Sequence, residues 1–163
     1  MTSIATHRID LTDARQLQKM TALRDACLGF VDLYDEQYLG IEADGRLAAC
    51  AAIGYFDSHG RKFALLHTEC VHPDFRGRGF HVDLVRQRLT IAHDAGCNFA
   101  VATTKGSNST AARVLRGNGF TEQSWLPAGR VEGVNEWVLE IGSGTAWRAC
   151  WSSPKGRADR IGR

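Results

Sequence analysis

The sequence predicts an α+β fold, a mixed and mostly antiparallel sheet of six to seven strands with flanking helices, on three observations. From Phe63 to Val71 the residues alternate, with Phe63, Leu65, His67, Glu69 and Val71 on one face and Ala64, Leu66, Thr68 and Cys70 on the other, the period of a strand. That run passes through Arg76-Gly77-Arg78-Gly79 into a stretch where Val82, Val85, Leu89 and Ala92 recur at helical spacing. A second apolar run, Cys97 to Thr104, follows the helix. Strand, right-handed crossover and strand in series place these two strands parallel and side by side.

The other elements follow in order. Ile4 to Ile9 alternates weakly, as a first strand. Thr12 is the expected N-cap of a helix in which Ala14, Leu17, Met20 and Leu23 repeat at helical spacing. A second helical stretch, about Ala26 to Gln37, carries Phe30, Leu33 and Tyr34 among the acids Asp32, Asp35 and Glu36. Tyr38 to Ala43 and Leu47 to Phe56 are strands joined by Ala43-Asp44-Gly45-Arg46, where Asp-Gly is a strong hairpin signal. Asp57-Ser58-His59-Gly60 turns into the central strand, and Pro73 ends that strand. The next helix runs from Arg78 to about Ala95, with Gly96 as its C-terminal cap. Ser107 or Asn108 caps a further helix through Arg116, ended by Gly117-Asn118-Gly119. Phe120 to Leu126 and Asn135 to Ile141 form a final strand pair around Pro127, Gly129 and Gly133.

Length and composition bound the function. With 163 residues, 44% of them hydrophobic, the chain supports one substantial core, so one domain is expected over 1–142 with a tail over 143–163. The formal charge is +2, yet the last 21 residues hold five basic side chains against Asp159, leaving a mildly acidic body. That tail mixes Gly, Ser and Arg with Trp147 and Trp151, and is either disordered, a packed extension or an expression remnant. Five cysteines without a C-x-x-C pair read as reduced core residues of a cytoplasmic protein, and no metal site is expected. The longest apolar run, Leu47 to Phe56, is too short for a membrane span, and no signal region is visible.

The glycine-rich turn is where chemistry is expected. A turn opening a helix leaves backbone N–H groups unpaired at a positive helix end, two glycines permit close approach, and Arg76 and Arg78 add charge. That is the specification of a phosphate cradle. The run V-H-P-D-F-R-G-R-G-F, followed about thirty residues later by Asn108-Ser-Thr-Ala111 and then Gly119-Phe120, closely resembles the GCN5-related N-acetyltransferase (GNAT) family, whose signature is [RQ]-x-x-G-x-[GA] after a strand ending V-x-P. The resemblance covers roughly 56–141. G-x-G-x-x-G and GK[ST] are missing, which excludes the Rossmann and P-loop readings.

The resemblance implies a GNAT fold whose parallel central strands splay around acetyl-CoA as cosubstrate. It implies acetyl transfer to a primary amine by direct attack in a ternary complex. It further implies a thioester carbonyl held by the backbone N–H of Cys70 or Val71, a pyrophosphate on the N–H groups of Arg76, Gly77, Arg78, Gly79 and Phe80, and a contact from Asn108, which otherwise is a simple helix cap. His67 is the first choice for the general base, because an unperturbed imidazole titrates near neutrality, and Glu69 is the second; either one instead satisfies neighbouring polar groups. His72 reads as a turn residue, and Glu122, Tyr55 and Tyr38 are unranked candidates for the acceptor pocket. The region of Asp32, Asp35 and Glu36 is in the family one wall of that pocket; its acids suit a cationic or amine-bearing acceptor, or are a solvated face.

Two departures from the family stand out. Leu115 occupies the position where a tyrosine often protonates the leaving thiolate, and His81 stands where Gly or Ala usually completes the signature, so it either crowds or contacts a phosphate. Cys70 is expected on the face away from His67, which disfavours an acyl-enzyme. The acceptor is expected to be a small-molecule or peptide amine. Alternatives are a non-catalytic acyl-CoA-binding or regulatory domain, and a nucleic-acid-borne amine reached through the basic, Trp-containing tail. Trp125 and Trp137 in the last strand pair offer a homodimer surface.

Overall fold

A computed structural model of the chain describes residues 6–28, 36–123 and 133–141. The tail from 143, Trp125, and the core of the second predicted helix with Phe30, Asp32 and Asp35 lie outside the described residues. In chain order the elements are β1 Thr6–Ile9, α1 Ala14–Leu28, β2 Gln37–Ala43, β3 Arg46–Ser58, β4 Arg61–Val71, a short 3-10 turn Pro73–Phe75, α2 Phe80–Asp94, β5 Phe99–Lys105, α3 Ser109–Gly117, β6 Thr121–Gln123 and β7 Val134–Glu140. Among the described residues seven strands hydrogen-bond in the order β1-β2-β3-β4-β5-β7-β6. β4 and β5 run parallel and the sheet is mixed, as the series of strand, crossover and strand requires. No helix among the described residues is long and apolar enough to cross a membrane.

The chain divides into two compact units, Met1–Gly54 with Leu66–Arg88 and Tyr55–Leu65 with Leu89–Arg163. In the first, Ile9, Met20, Leu23, Tyr38, Leu47, Cys50, Ala52 and Cys70 form one core, with Leu11 and Cys27 packed against it. A row spaced strictly by three drifts about 60° per step on an α-helix, so the inward stripe of α1 is the buried Met20 and Leu23 with the half-buried Cys27, while Leu17 is exposed. The N-cap is Asp13 rather than Thr12. The Asp13 carboxylate accepts from Arg15 N–H at 2.8 Å and Gln16 N–H at 3.1 Å, and Thr12 instead donates from both its N–H and its hydroxyl to Asp10. The β2–β3 hairpin closes through Asp44 (φ 52°) and Gly45 (φ 73°), the paired positive φ of a type I′ turn.

In the second unit, Phe56, Phe63 and Phe99 stack in series, with centroids 4.9 and 5.0 Å apart, and Leu65, Val101 and Val138 complete the cluster. Gly96 ends α2 as expected: Cys97 N–H reaches Ala92 O and Gly96 N–H reaches His93 O, both at 2.9 Å, with Gly96 in the left-handed region. Trp137 does not present a dimer surface. It is fully buried and its indole N–H donates to Thr104 Oγ1 at 2.9 Å, because the β5–β7 pairing turns that face inward.

Candidate active site

The site lies on the second half of β4 and the turn that follows it. Thr68 has φ 47°, a region that a β-branched residue occupies only under strain. Such a residue interrupts the strict alternation of a strand. His67 and Thr68 consequently project together, with His67 Nδ1 2.8 Å from Thr68 Oγ1, a contact that neighbours in a regular strand cannot make.

The kink divides the two base candidates. His67 looks toward Gly54 of β3, and its Nε2 lies 2.5 Å from Glu36 Oε2. Glu36 in turn lies flat over Gly54, where a Cβ would stand 2.7 Å from Oε1. Glu69, expected beside His67, turns instead to α2, where Arg88 pairs with it and His81 Nε2 lies 2.9 Å from its Oε1. Arg88 is only 1% exposed, and its remaining donors reach Leu84 O at 3.2 Å, Ala52 O at 3.2 Å and His67 O at 3.4 Å. A buried guanidinium needs such saturation. The imidazole of His81 is thus directed at a carboxylate.

Electrostatics favour the neutral form of His67. Burial pushes its pKa down from the ordinary 6.5, the Glu36 carboxylate pulls it up by its charge and by a side-chain hydrogen bond, and the charge of Arg88 adds to the fall; the net shift is downward. Glu36 Oε2 and His67 Nε2 are buried against each other at ion-pair distance, and Glu69 Oε1 meets the His81 imidazole in the same way.

Cys70 shares the face of His67, not the opposite one, because the kink at Thr68 shifts the alternation. Its Sγ lies 3.3 Å from that of Cys50, which belongs to the same side of β3 as Gly54. The thiol is a poor nucleophile for another reason: the hydrogen bond it shares with Cys50 and then burial raise it far above the ordinary 9.0, and burial pushes Cys27 up to about 12.

Beyond Val71 the chain makes a tight turn. His72 N–H donates to Ala48 O at 2.8 Å, and its ring Nδ1 accepts from Asp74 N–H at 3.2 Å, the turn role expected of it. Phe75 is buried beneath two guanidiniums, Arg46 at 5.1 Å and Arg78 at 4.9 Å from its ring centre. Arg76 folds back to donate to Val71 O at 3.3 Å. Gly77 (φ 78°) and Gly79 (φ 86°) take left-handed conformations that carry the chain into α2, anchored by the buried Phe80. The backbone ladder of that helix begins with Asp83 N–H to Gly79 O at 3.1 Å, which leaves the preceding N–H groups directed out of the helix end.

In the second unit, Asn108 is the N-cap of α3, its side-chain oxygen accepting from Ala111 N–H at 3.0 Å. Leu115 is buried in the same helix. Of the pocket candidates, Tyr38 is sealed in the first core, Tyr55 is exposed with Lys62 over its ring, and Glu122 accepts from Asn135 at 2.6 Å.

Sequence reasoning missed three participants: Glu36 as the partner of His67, Arg88 as the holder of Glu69, and the strain at Thr68. Two signals pointed that way. Gly54 interrupts an apolar strand where a close approach is needed, and Arg88 sits one turn past Leu84 on the inner face of α2.

A mixed sheet with a kinked central strand and a glycine turn leading into a helix defines an acyltransferase-type α+β fold. The chain belongs to the acetyltransferase (GNAT) family, whose sequence model matches residues 5–120. No curated protein matches the chain. Among solved structures it is similar to the NatC complex bound to Gag peptide and CoA (TM-score 0.68, 15% identity, 85% of this chain and 99% of that one). It is also similar to the ribosomal-protein-S18-alanine N-acetyltransferase of Escherichia coli (0.66, 15%, 86% and 97%). A third likeness is to yncA of Salmonella typhimurium, solved with its cofactor acetyl-CoA (0.63, 20%, 88% and 97%). At these identities the likeness is one of fold.

Proposed function

We propose that the chain is an acetyl-CoA-dependent N-acetyltransferase that acetylates a primary amine by direct attack in a ternary complex. The observation that carries this reading is the pair of left-handed glycines, Gly77 and Gly79, opening α2 directly after the kinked strand. The diphosphate of acetyl-CoA sits on the N–H groups of Arg76 to His81, and the acetyl carbonyl accepts from the N–H of Cys70 or Val71. Arg76 and Arg78 act there as nearby charge, since Val71 O, Phe75 and Asp44 already engage their side chains. Asn108 keeps its amide NH2 for the pantetheine arm, its oxygen being used as the cap.

His67 is the general base. Its lowered pKa keeps the ring neutral at physiological pH, and Glu69, committed to Arg88, serves to hold the strand end against α2. Collapse of the tetrahedral intermediate expels the coenzyme A thiolate, a tolerable leaving group that needs no tyrosine at Leu115. Likeness to proteins whose names specify a peptide and a ribosomal-protein alanine supports an amine on a peptide, and small amines remain within the class. Calorimetry with acetyl-CoA on wild type and Gly79→Val tests the cradle: a side chain cannot hold φ 86° without strain, so binding is expected to weaken roughly tenfold or more. Unchanged affinity in the variant, or no binding in the wild type, refutes the reading. If acetyl-CoA binds but no amine in a broad panel releases coenzyme A, the buried Leu115 supports the second reading, an acyl-CoA-binding regulatory domain.

A further inference from the structure

We infer that Glu36, His67 and Thr68 form a nucleophile triad in which the Thr68 hydroxyl takes the acetyl group as an ester, so that the chain also hydrolyses acetyl-CoA when no amine is bound. This goes beyond amide formation and rests on the acetyl-transfer reading only for its acyl donor. Thr68 Oγ1 lies 2.8 Å from His67 Nδ1, and Glu36 Oε2 lies 2.5 Å from His67 Nε2 on the other side of the ring. A carboxylate at Nε2 needs the ring proton there, which leaves the Nδ1 lone pair to accept from the Thr68 hydroxyl. Hydroxyl, imidazole and carboxylate in that order are the parts that activate an alcohol for acyl transfer.

The arrangement is built rather than incidental. His67 and Thr68 are sequence neighbours, and only the left-handed Thr68 (φ 47°) lets their side chains meet. The α/β-hydrolases present their serine on a strained turn for the same reason, because the hydroxyl then stands clear of the strand. On the far side of the ring Gly54 keeps the room that Glu36 fills, since a Cβ there would stand 2.7 Å from Glu36 Oε1 and 3.8 Å from His67 Nε2. His67 and Thr68 are both half-buried, so the hydroxyl is open to a ligand. Cys70 does not compete: the hydrogen bond with Cys50 and burial hold its thiol protonated.

The chemistry balances. Thr68 Oγ1 adds to the acetyl carbon as its proton passes to His67 Nδ1, Glu36 stabilises the imidazolium, and the oxyanion accepts from the N–H of Cys70 or Val71. The C–S bond breaks with its electrons on sulfur, and the imidazolium gives its proton to the thiolate. Water then adds to the threonine ester while giving His67 a proton, the C–O bond to Thr68 breaks, and that proton ends on the alkoxide. Acetate and coenzyme A are the products. A bound amine competes for the same base and diverts the acetyl group by direct attack.

Acetate release from acetyl-CoA without amine, with acid-quenched peptide mass mapping, tests this on the full chain. A hydroxylamine-labile acetyl group is expected on the peptide holding Thr68. Thr68→Ser is expected to keep the hydrolysis, and Thr68→Val, which has the same branching but no hydroxyl, to lose it roughly a hundredfold. Glu36→Gln is expected to slow release and to move its acid limb to lower pH, a shift that a merely structural role would not produce. No Thr68 ester from any donor, or release equal in Thr68→Val, overturns the triad. The activated ester para-nitrophenyl acetate, which needs no diphosphate cradle, separates the two readings. A Thr68 ester formed from it, with no calorimetric binding of acetyl-CoA, supports the nucleophile and removes the acetyl-CoA reading. Acetyl-CoA binding and amide formation with no Thr68 ester from either donor do the reverse.

Discussion

The protonation of His67, the proposed base, is controlled by the fold. Burial outweighs Glu36, so the acid limb of kcat/KM is expected below 6.5, and Glu36→Gln moves it lower still by removing the charge that pulls the pKa up. A limb at or above 6.5 refutes His67 as the titrating base. The same shift enters stability with a definite sign. Between the lowered native value and 6.5 the unfolded chain binds more protons than the native one, so stability rises with pH across that window and levels off above it. Thr68 makes a second prediction at this scale. Removing a β-branched side chain from φ 47° in Thr68→Gly is expected to stabilise by about 1 kcal/mol in urea unfolding while lowering kcat, because His67 loses its Nδ1 partner. Stability gained and activity lost together are the signature of strain held for function.

At the scale of elements, Arg88 joins α2 to β3 and β4 through two backbone carbonyls and the Glu69 carboxylate. Arg88→Ala leaves Glu69 buried without its cation and is expected to cost about 3–5 kcal/mol in chemical unfolding. Arg88→Met combined with Glu69→Leu removes both charges at similar volume and is expected to recover much of that loss. If the double variant is no more stable than the single one, the burden lies in the lost packing of the arginine stem rather than in the stranded carboxylate. The contact of His81 with Glu69 ties the first turn of α2 to the same network, which explains why a histidine is tolerated where the family usually keeps Gly or Ala.

For the whole molecule, acetyl-CoA binding is expected to raise Tm by mass action, by about 2.7 kcal/mol at a hundred times Kd, which is roughly 5–10 °C for a chain of this size. A thermal shift that is absent at millimolar acetyl-CoA contradicts the cradle. Periodicity and turn chemistry were enough to read the strand order's local parts: the Asp44-Gly45 hairpin, the Gly96 cap, the glycine turn and the helix it opens follow from residues close together in the chain. These features are local, and local sequence carries them. The meeting of Glu36 with His67, the turn of Glu69 to Arg88, the sharing of a face by His67 and Cys70, and the burial of Tyr38 and Trp137 were decided only by tertiary structure. One left-handed residue at Thr68 shifts every side chain after it across the sheet, and only the packing around the strand can hold a threonine there.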